Sequence, residues 1–489
     1  MTQRRLNKRP ADMSDDNSQP KRQDDDPSRT PPEDANQSPD DIPGNSALQS
    51  ISSNLENRLI VVPNEYSQIP ESNYNDGGYL RIVPGEVYGG VHKVVKYLNR
   101  GHFSSAWLSK RTDNGEYEVL KVSKSGVKYR NSVLKEFELL NSFQSIQPHP
   151  NIVKLLGKFE ERNRRFSHIT MVFEVMGPNL EYAIHRSGTK MHLEVIRSIT
   201  KQLLEALKYI HTFEIVHMDI KPANIMLAIT NADVERLAAN VDPAYESYDI
   251  DITNPSANIV VKLADFGNWV DTNEPARLRV PPTCPYRGPE TFLTKLVDTC
   301  TDMWSMGCVL FEMVVGKLLF SCHLHRTVKH PLVHFIMMNS MVGPVPRAPY
   351  EGNLRPHVIN MFGEDGNIRM APGTMKGSAF FAIAFLNHLN FDDAKDFSEL
   401  MHKFLKYDMK ERVTAEEALT DKFLLPNGGR TPSGQEMVRQ NRSQQSSNYP
   451  SSGWNLALGR PIAEEEASSS YAAEQQNPEE GLSHSEQDF

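Results

Sequence analysis

Short stretches in which apolar and polar residues alternate occupy the chain between residues 91 and 175. Alternation with a period of two is typical of β-strands that bury one face. Residues 113–115, Asp-Asn-Gly, interrupt this pattern and predict a hairpin turn. Residues 131–143 instead carry apolar side chains at helical spacing. The strands that the pattern predicts are 91–98, 105–109, 116–122, 152–159 and 167–175.

Helical spacing of apolar residues dominates from residue 194 onward. The predicted helices there are 194–211, 301–315 and 397–404. A run of strands followed by a run of helices favours an α+β fold. The sequence therefore predicts a small β-rich N-lobe over 73–175 and a larger helical C-lobe over 176–425.

The two ends of the chain differ in composition from the middle. Residues 1–72 are rich in Asp, Asn, Ser, Pro and Gln, and residues 426–489 in Ser, Gln and Glu. Such segments bury too little apolar surface to offset chain entropy, so we expect both to be mostly disordered acidic tails. Each tail carries a net charge of −5 and the middle +1, out of a total of −9. A near-neutral middle lacks the basic surface that direct nucleic-acid binding requires.

The spacing of the cysteines and the distribution of apolar residues indicate the cellular compartment in which the protein is expected. The four cysteines, at 284, 300, 308 and 322, form no Cys-x-x-Cys motif, which favours a reduced intracellular protein with free thiols. The first residues lack the apolar core of a secretory signal. No apolar run is long enough to span a bilayer, so we expect no membrane association.

Two basic pairs in the first tail, Lys8-Arg9 and Lys21-Arg22, have the form of a split nuclear-import signal. A solvated polar tail with scattered basic pairs explains them equally well, because short basic motifs often match by chance. The expected location is the cytoplasm and the nucleus.

Two segments carry the residues that indicate chemistry. The first is 215–224, Ile-Val-His-Met-Asp-Ile-Lys-Pro-Ala-Asn, and the second is 261–267, Val-Lys-Leu-Ala-Asp-Phe-Gly. An Asp, a Lys two residues later, an Asn three beyond that and a separate Asp-Phe-Gly form the catalytic and metal-binding loops of protein kinases.

The side chains of these loops suit phosphoryl transfer. Asp219 is the candidate base that orients a substrate hydroxyl, and Lys221 would neutralise charge on the transferred group. Asn224 and Asp265 supply hard oxygen ligands of the kind that Mg²⁺ prefers. Asp and Asn often cap loops, but the joint order of these residues favours catalysis.

Residues 98–106, between two predicted strands, read Leu-Asn-Arg-Gly-His-Phe-Ser-Ser-Ala. A loop that covers phosphates needs small residues, so that backbone N–H groups approach closely. Only one of three expected glycines is present, and by itself the segment would be an ordinary hairpin turn. The residues that we expect against the nucleotide are Asn99, Gly101, Ser104 and Ala106.

Lys121 ends a predicted strand, and Glu136 lies in the helical run that follows. An inward Lys that is held by a carboxylate would bind the α- and β-phosphates of ATP. Farther on, Phe173 would line the adenine pocket, and the backbone of Glu174 and Met176 would bond the adenine edge. The alternatives are a snorkelling Lys, a solvated Glu and a buried strand.

Two structural contacts are expected around these loops. Glu290, which ends the run Tyr-Arg-Gly-Pro-Glu, would pair with the distant Arg412, and Asp302 would cap the backbone of the catalytic loop. A solvated surface pair that contributes little is the alternative for Glu290 and Arg412.

Residues 73–425 resemble the CMGC group of Ser/Thr protein kinases, most closely the SR-protein kinases. The resemblance rests on Gly77-Gly78-Tyr79, on Gly101-His102-Phe103-Ser104 and on the hinge-like run 168–177. Met218 replaces an Arg that SR-protein and LAMMER-type kinases also lack. The resemblance implies a two-lobed eukaryotic protein kinase fold, the cofactors ATP and Mg²⁺, and a monomer. It also implies protein substrates, with Arg/Ser-rich splicing factors among the candidates.

Three segments refine this resemblance. An insert over 228–258 looks like a short SR-protein-kinase spacer with a helix at 234–239, whereas 335–344 resembles the LAMMER segment. The segment 323–330 is basic where SR-protein kinases are acidic, which argues against docking of an Arg/Ser repeat there. Since Met218 has no positive charge with which to bind a phosphate on the activation loop, we expect activity without activation-loop phosphorylation. A pseudokinase scaffold and a LAMMER-like dual-specificity kinase remain as alternatives to a Ser/Thr kinase.

Overall fold

The structure is a computed structural model, and it describes residues 59–63, 69, 71–74, 77–163, 166–185, 190–240, 245–273, 281–321, 330–369 and 379–425. The strands are β1 (Leu59–Pro63), β2 (Val87–Tyr88), β3 (His92–Arg100), β4 (Ser104–Arg111), β5 (Tyr117–Ser123), β6 (Leu155–Asn163), β7 (Phe166–Phe173), β8 (Ile215–Val216), β9 (Ile225–Leu227), β10 (Tyr245–Asp249), β11 (Val261–Leu263) and β12 (Val270–Asp271). The α-helices are α1 (Val127–Ile146), α2 (Leu180–His185), α3 (Leu193–His211), α4 (Asn231–Ala239), α5 (Pro289–Leu293), α6 (Cys300–Val315), α7 (His330–Met341), α8 (Phe380–Leu386), α9 (Phe391–Phe404) and α10 (Ala415–Leu419).

The N-lobe is one antiparallel sheet with the strand order β2-β3-β4-β5-β7-β6, and α1 contacts β5, β6 and β7. The predicted hairpin turn joins β4 to β5, where Gly115 adopts a φ of 75° that a side chain would make unfavourable. One side of the sheet is covered by the segment that precedes β2. This segment contributes the buried side chains Ile69, Tyr79, Leu80 and Ile82.

The C-lobe is built around α6, in which every residue from 301 to 314 is buried. A helix that is buried on all sides forms the centre of a domain. Gly307 allows α9 to approach, because a Cβ there would lie 2.7 Å from Phe404. Among the helices of the described ranges, the structure has no membrane-spanning candidate.

Two short ladders in the C-lobe position the loops that matter most. β9 pairs with β11, with Ile225 opposite Leu263, and β8 pairs with β12, with Val216 opposite Val270. The loop that follows β8 and the loop that follows β11 therefore lie side by side.

The insert over 228–258 contacts both lobes. Its helix α4 begins with a capping box between Thr230 and Asp233. On the N-lobe side, Lys96 Nζ donates to the carbonyl of Leu237 at 3.3 Å, and the Tyr117 hydroxyl donates to Glu235 at 3.2 Å.

One strand lies inside the segment 1–72 that we expected to be mostly disordered. β1 pairs with β10 of the insert over five residues, and an added strand needs no core of its own because its partner satisfies its backbone groups. Residues 59–63 therefore form a strand, and the expectation that residues 1–72 are mostly disordered stays a prediction. The predictions for residues 1–58, which contain the two basic pairs, and for residues 426–489 concern segments outside the described residues.

Candidate active site

A row of directly paired residues crosses the N-lobe sheet. Asn99 on β3 lies opposite Ala106 on β4, and Ala106 lies opposite Lys121 on β5. Partners in an antiparallel ladder project to the same side of the sheet. Three of the residues that we expected to bind nucleotide therefore share one face.

The ammonium group of Lys121 lies between two carboxylates. It donates to Glu136 of α1 at 2.8 and 3.0 Å and to Asp265 Oδ1 at 2.8 Å. Glu136 is 3% exposed, so this ion pair is held inside the N-lobe. Asp265 joins it from the loop after β11, on the other side of the hinge.

The charges of this cluster support one another. Burial disfavours the charge on Lys121, but Asp265 and Glu136 outweigh it and raise the pKa of Lys121 above its ordinary value. Lys121 lowers the pKa of Asp265, while burial raises the pKa of Glu136. Asp265 is therefore ionised at neutral pH, as a carboxylate ligand of a metal must be.

The Asp219 carboxylate is held by three neighbours. Its Oδ1 accepts a hydrogen bond from Thr283 Oγ1 at 2.6 Å. Its Oδ2 lies 2.9 Å from Asn224 Nδ2 and 2.8 Å from Lys221 Nζ. Lys221 also donates to Thr283 Oγ1 at 2.9 Å. Since Asp219 is only 6% exposed, this network fixes the direction in which the carboxylate faces.

Asp302 of α6 caps the backbone that precedes Asp219. Its carboxylate accepts from the N–H of His217 at 2.7 Å and from the N–H of Met218 at 3.0 Å. Met218 has a φ of 70°, a conformation that a residue with a side chain adopts only when its surroundings hold it. The expected cap by Asp302 is therefore confirmed.

His217 connects the two loops. Its Nδ1 accepts from the N–H of Asp219 at 3.2 Å, so the ring proton is on Nε2, which donates to the carbonyl of Ala264 at 3.2 Å. Burial lowers the pKa of His217, which keeps the ring neutral. The N–H of Ala264 in turn donates to the carbonyl of Asn224 at 2.9 Å. These bonds place Asp219 and Asp265 at one site.

The hinge residue Glu174 is fixed from both lobes. Its carboxylate accepts from Lys262 Nζ on β11 at 2.7 and 2.8 Å and from the N–H of Lys154 at 2.6 Å. Its own N–H donates to the carbonyl of Lys154 at 3.1 Å. A contact between Glu174 and adenine would therefore use the Glu174 carbonyl. Met176, two residues later, is partly buried against the main core.

The loop that contains a single glycine is a tight turn between β3 and β4. The N–H of Gly101 donates to the carbonyl of Ser104 at 2.8 Å, and the N–H of Lys124 donates to the carbonyl of Phe103 at 2.9 Å. The Tyr79 hydroxyl donates to the carbonyl of Gly101 at 2.5 Å. Contacts from outside the loop therefore fix its backbone, although the segment contains only one of the three expected glycines.

Three residues that position these groups were given no role from the sequence: Tyr79, Lys262 and Thr283. Thr283 lies in the run Pro-Pro-Thr-Cys-Pro, which has no periodic pattern. Lys262 had a usable signal, because a charge within the apolar strand Val-Lys-Leu needs a partner. Tyr79 was noted only as part of a family motif.

The oxygen donors of the two loops fit a magnesium ion. Asn224 gives its Nδ2 to Asp219, so Oδ1 is the atom that it would offer to a cation. The side chain of Asp265 is 50% exposed and ionised. An amide oxygen and a carboxylate, with phosphate oxygens in other positions, are ligands that Mg²⁺ prefers.

Comparison with known proteins identifies the class. The protein kinase domain family matches residues 92–424. The chain is 31% identical over 386 residues to the serine/threonine-protein kinase SRPK of Physarum polycephalum. The aligned region covers 72% of this chain and 90% of that protein. It is 30% identical to the serine/threonine-protein kinase AFC3 of Arabidopsis thaliana, over 68% of this chain and 81% of the relative. A solved kinase-domain crystal structure matches at 25% identity with a TM-score of 0.54, over 71% of this chain and 99% of that chain.

The chain therefore belongs to the protein kinase family, and it is related there to the SRPK and AFC serine/threonine kinases. The resemblance inferred from the motifs and the two-lobed α+β fold are both confirmed. Protein kinases use ATP and Mg²⁺ and act on protein substrates.

Proposed function

We propose that this chain transfers the γ-phosphoryl group of ATP to serine or threonine hydroxyls of proteins, with Asp219 as the base. One observation carries the proposal. The ion pair of Lys121 and Glu136 meets Asp265, while Asp219 of the adjacent loop is oriented by Asn224, Lys221 and Thr283.

In the proposed reaction, Asp219 accepts a hydrogen bond from the substrate hydroxyl and directs its oxygen at the γ-phosphorus. The oxygen–phosphorus bond to the substrate forms, the bond to the β–γ bridging oxygen breaks, and the hydroxyl proton passes to Asp219. Lys221 offsets the negative charge on the transferred group. Thr283, which bonds both side chains, holds the Asp219 carboxylate and the Lys221 ammonium group in fixed positions relative to each other.

The nucleotide would be held from both lobes. Lys121, positioned by Glu136, would bind the α- and β-phosphates, and Asn224 and Asp265 would hold Mg²⁺. When bound, Mg²⁺ neutralises phosphate charge. The turn with Asn99, Gly101, Ser104 and Ala106 would cover the phosphates, and the carbonyl of Glu174 and the backbone of Met176 would bond the adenine edge.

The experiment is phosphotransfer to peptides that carry Arg-Ser repeats, Ser-Pro sites or acidic Ser sites. We expect Asp219→Asn to lower kcat by roughly 10²- to 10⁴-fold, the usual contribution of a general base. Asp113→Asn, in the exposed hairpin turn, is the matched control and should keep full activity. Full phosphotransfer by Asp219→Asn would rule out the assigned base.

The same panel tests the substrate class. The resemblance to SR-protein kinases supports Arg/Ser-rich splicing-type proteins as the substrates. The kinase would act on them as a monomer in the cytoplasm and nucleus, without direct nucleic-acid binding. The basic segment 323–330 argues against one docking route, and its residues 323–329 lie outside the described residues. Preference for Ser-Pro or acidic peptides over Arg-Ser repeats would contradict this substrate class.

We further propose that activity does not depend on phosphorylation of the activation loop. Met218 is 1% exposed and packs with Val216 and Val297, so this position offers an apolar contact and no cation to a phosphate. Protein made in bacteria and treated with phosphatase should be active. Activity that appears only after an upstream kinase acts would contradict this.

Dual specificity is the second candidate function. The chain is 26% identical to the dual specificity protein kinase lkh1 of Schizosaccharomyces pombe, over 72% of this chain and 50% of that protein. Tyrosine autophosphorylation, detected by mass spectrometry, would favour it over strict serine/threonine specificity.

A further inference from the structure

Cys284 and His334 form a thiol–imidazole pair beside the proposed catalytic centre. Cys284 directly follows Thr283 and is half-buried. Its Sγ lies 3.0 Å from Nε2 of His334. His334 belongs to α7 and is fully buried, with its ring 4.8 Å from that of Phe292. The imidazole is therefore held in place against the sulfur.

The other two cysteines in the described ranges have different surroundings. Burial raises the pKa of the Cys300 thiol to about 11, and its sulfur donates weakly to the carbonyl of Arg412 at 3.8 Å. Burial also raises the pKa of Cys308 well above its ordinary value. Since the thiolate is the reactive form, both are expected to be inert, and they serve as internal controls.

Cys284 is also joined to the catalytic residues through the backbone. The hydroxyl of Thr283 bonds Asp219 at 2.6 Å, and the N–H of Tyr286 bonds the carbonyl of Thr283 at 3.0 Å. The Tyr286 hydroxyl is anchored on Glu312 at 2.7 Å. This turn is thus fixed on both sides of Cys284, so a change at the sulfur acts on a segment that also carries the Thr283–Asp219 bond.

We propose that Cys284 is a peroxide-sensitive site at which oxidation to a sulfenic acid lowers kinase activity. Nε2 of His334 accepts the thiol proton, and the thiolate attacks one oxygen of hydrogen peroxide. The S–O bond forms, the O–O bond breaks, and the leaving hydroxide takes the proton from His334 to give water. Sulfur is oxidised and peroxide is reduced. The added oxygen displaces the turn, and Thr283 loses its bond to Asp219.

The first test is chemical and does not depend on activity. The protein carries Cys322→Ser, because Cys322 lies outside the described residues, and it is treated with dilute hydrogen peroxide and a sulfenic-acid probe. Peptide mass spectrometry should show labelling of Cys284 at least about tenfold faster than of Cys300 and Cys308. His334→Asn should slow the labelling of Cys284. Equal labelling of all three cysteines would overturn the proposal.

If His334→Asn does not fold, the parent protein answers the same question. Alkylation of Cys284 by iodoacetamide should remain rapid below about pH 8.5, where an ordinary thiol becomes slow. A rate that follows pH as a free thiol does would exclude assistance by His334.

The second test measures activity and rests on the proposed phosphotransfer. Peroxide should lower activity several-fold, dithiothreitol should restore it, and Cys284→Ser, which retains a hydrogen-bonding group, should keep its activity in peroxide. Equal loss in Cys284→Ser and the parent would refute the regulatory effect. Rapid labelling of Cys284 in a protein that phosphorylates no peptide would instead count against the proposed function and leave the reactive thiol established.

Discussion

Arg412 and Glu290 form an ion pair whose side chains are both 0% exposed, with bonds of 2.9 and 3.0 Å. Arg412 also donates to the carbonyls of Cys300 at 2.8 Å and Lys406 at 2.9 Å. The pair expected from the sequence is therefore confirmed, whereas the alternative of a solvated surface pair is wrong. The buried charge is tolerated because each guanidinium nitrogen of Arg412 has an acceptor.

Removal of one partner should be costly. We expect Arg412→Ala to lower the free energy of unfolding by about 3–5 kcal/mol, because it leaves the Glu290 carboxylate buried and unpaired. Urea denaturation measures this change. Lys208→Ala breaks an exposed pair with Glu416 and should change the free energy of unfolding far less, because water screens that pair. Similar losses in both variants would contradict the distinction between the two pairs.

His217 gives the stability of this protein a dependence on pH. Burial lowers its pKa in the folded state, so the unfolded chain binds a proton more readily. The contribution of His217 is thus present above the unfolded pKa of about 6.5 and is lost as the pH falls below it. His217→Asn, which keeps an acceptor for the N–H of Asp219, should lose less free energy of unfolding between about pH 8 and about pH 5 than the parent.

An exposed histidine provides the control. His102 is exposed at the tip of the β3–β4 turn, so His102→Asn removes a histidine without removing a buried one and is the matched control. If His217→Asn and the parent lose equal stability on acidification, burial of His217 does not cause the loss of stability at low pH.

At the scale of elements, local periodicity was enough to predict the five longest strands, β3 to β7, and most of the long helices. The predicted helix 194–211 is α3, Leu193–His211, and the predicted strand 116–122 is β5, Tyr117–Ser123. The predicted helix 397–404 is only the second half of α9, Phe391–Phe404. The first turn of α9 contains Asp392 and Asp393, and acidic residues that favour a helix N-terminus weaken the apolar pattern.

Contacts between segments distant in sequence could not be predicted in this way. β1 pairs with a strand about 180 residues later, and a five-residue strand has no signal that names its partner. The role of Thr283 depends on Asp219, 64 residues earlier. Motifs located the loops of the site, but only the fold shows which side chains orient them.

The pairing of β1 with β10 leads to a prediction for this ribbon. Deletion of residues 1–68 removes β1, so the amides of residues 245–249 should exchange with solvent roughly tenfold faster, since an unpaired strand opens easily. Deletion of residues 1–50 keeps β1 and is the matched control. Hydrogen exchange measured by mass spectrometry would contradict the pairing if both deletions gave the same rates.

At the scale of the molecule, the two lobes meet at the proposed nucleotide site. The Lys121–Asp265 ion pair joins β5 of the N-lobe to the loop after β11, and Glu174 is bonded by Lys154 and Lys262 at the hinge. The insert adds the contacts of Lys96 and Tyr117 with α4. A nucleotide that binds between the lobes should therefore stabilise both of them together.

This coupling separates an active kinase from a scaffold that does not bind nucleotide. With ATP and Mg²⁺ at about 100 times Kd, we expect the free energy of unfolding to rise by about 2.7 kcal/mol, which corresponds to roughly 3–5 °C in Tm for a large domain. Lys121→Met removes the phosphate-binding charge, so its Tm should move far less relative to its own nucleotide-free state. Lys93→Met, at an exposed position of β3, should respond as the parent does. An unchanged Tm in the parent would favour the scaffold. An equal Tm shift in Lys121→Met would place the nucleotide elsewhere, because the charge between Glu136 and Asp265 would then not be needed to hold it.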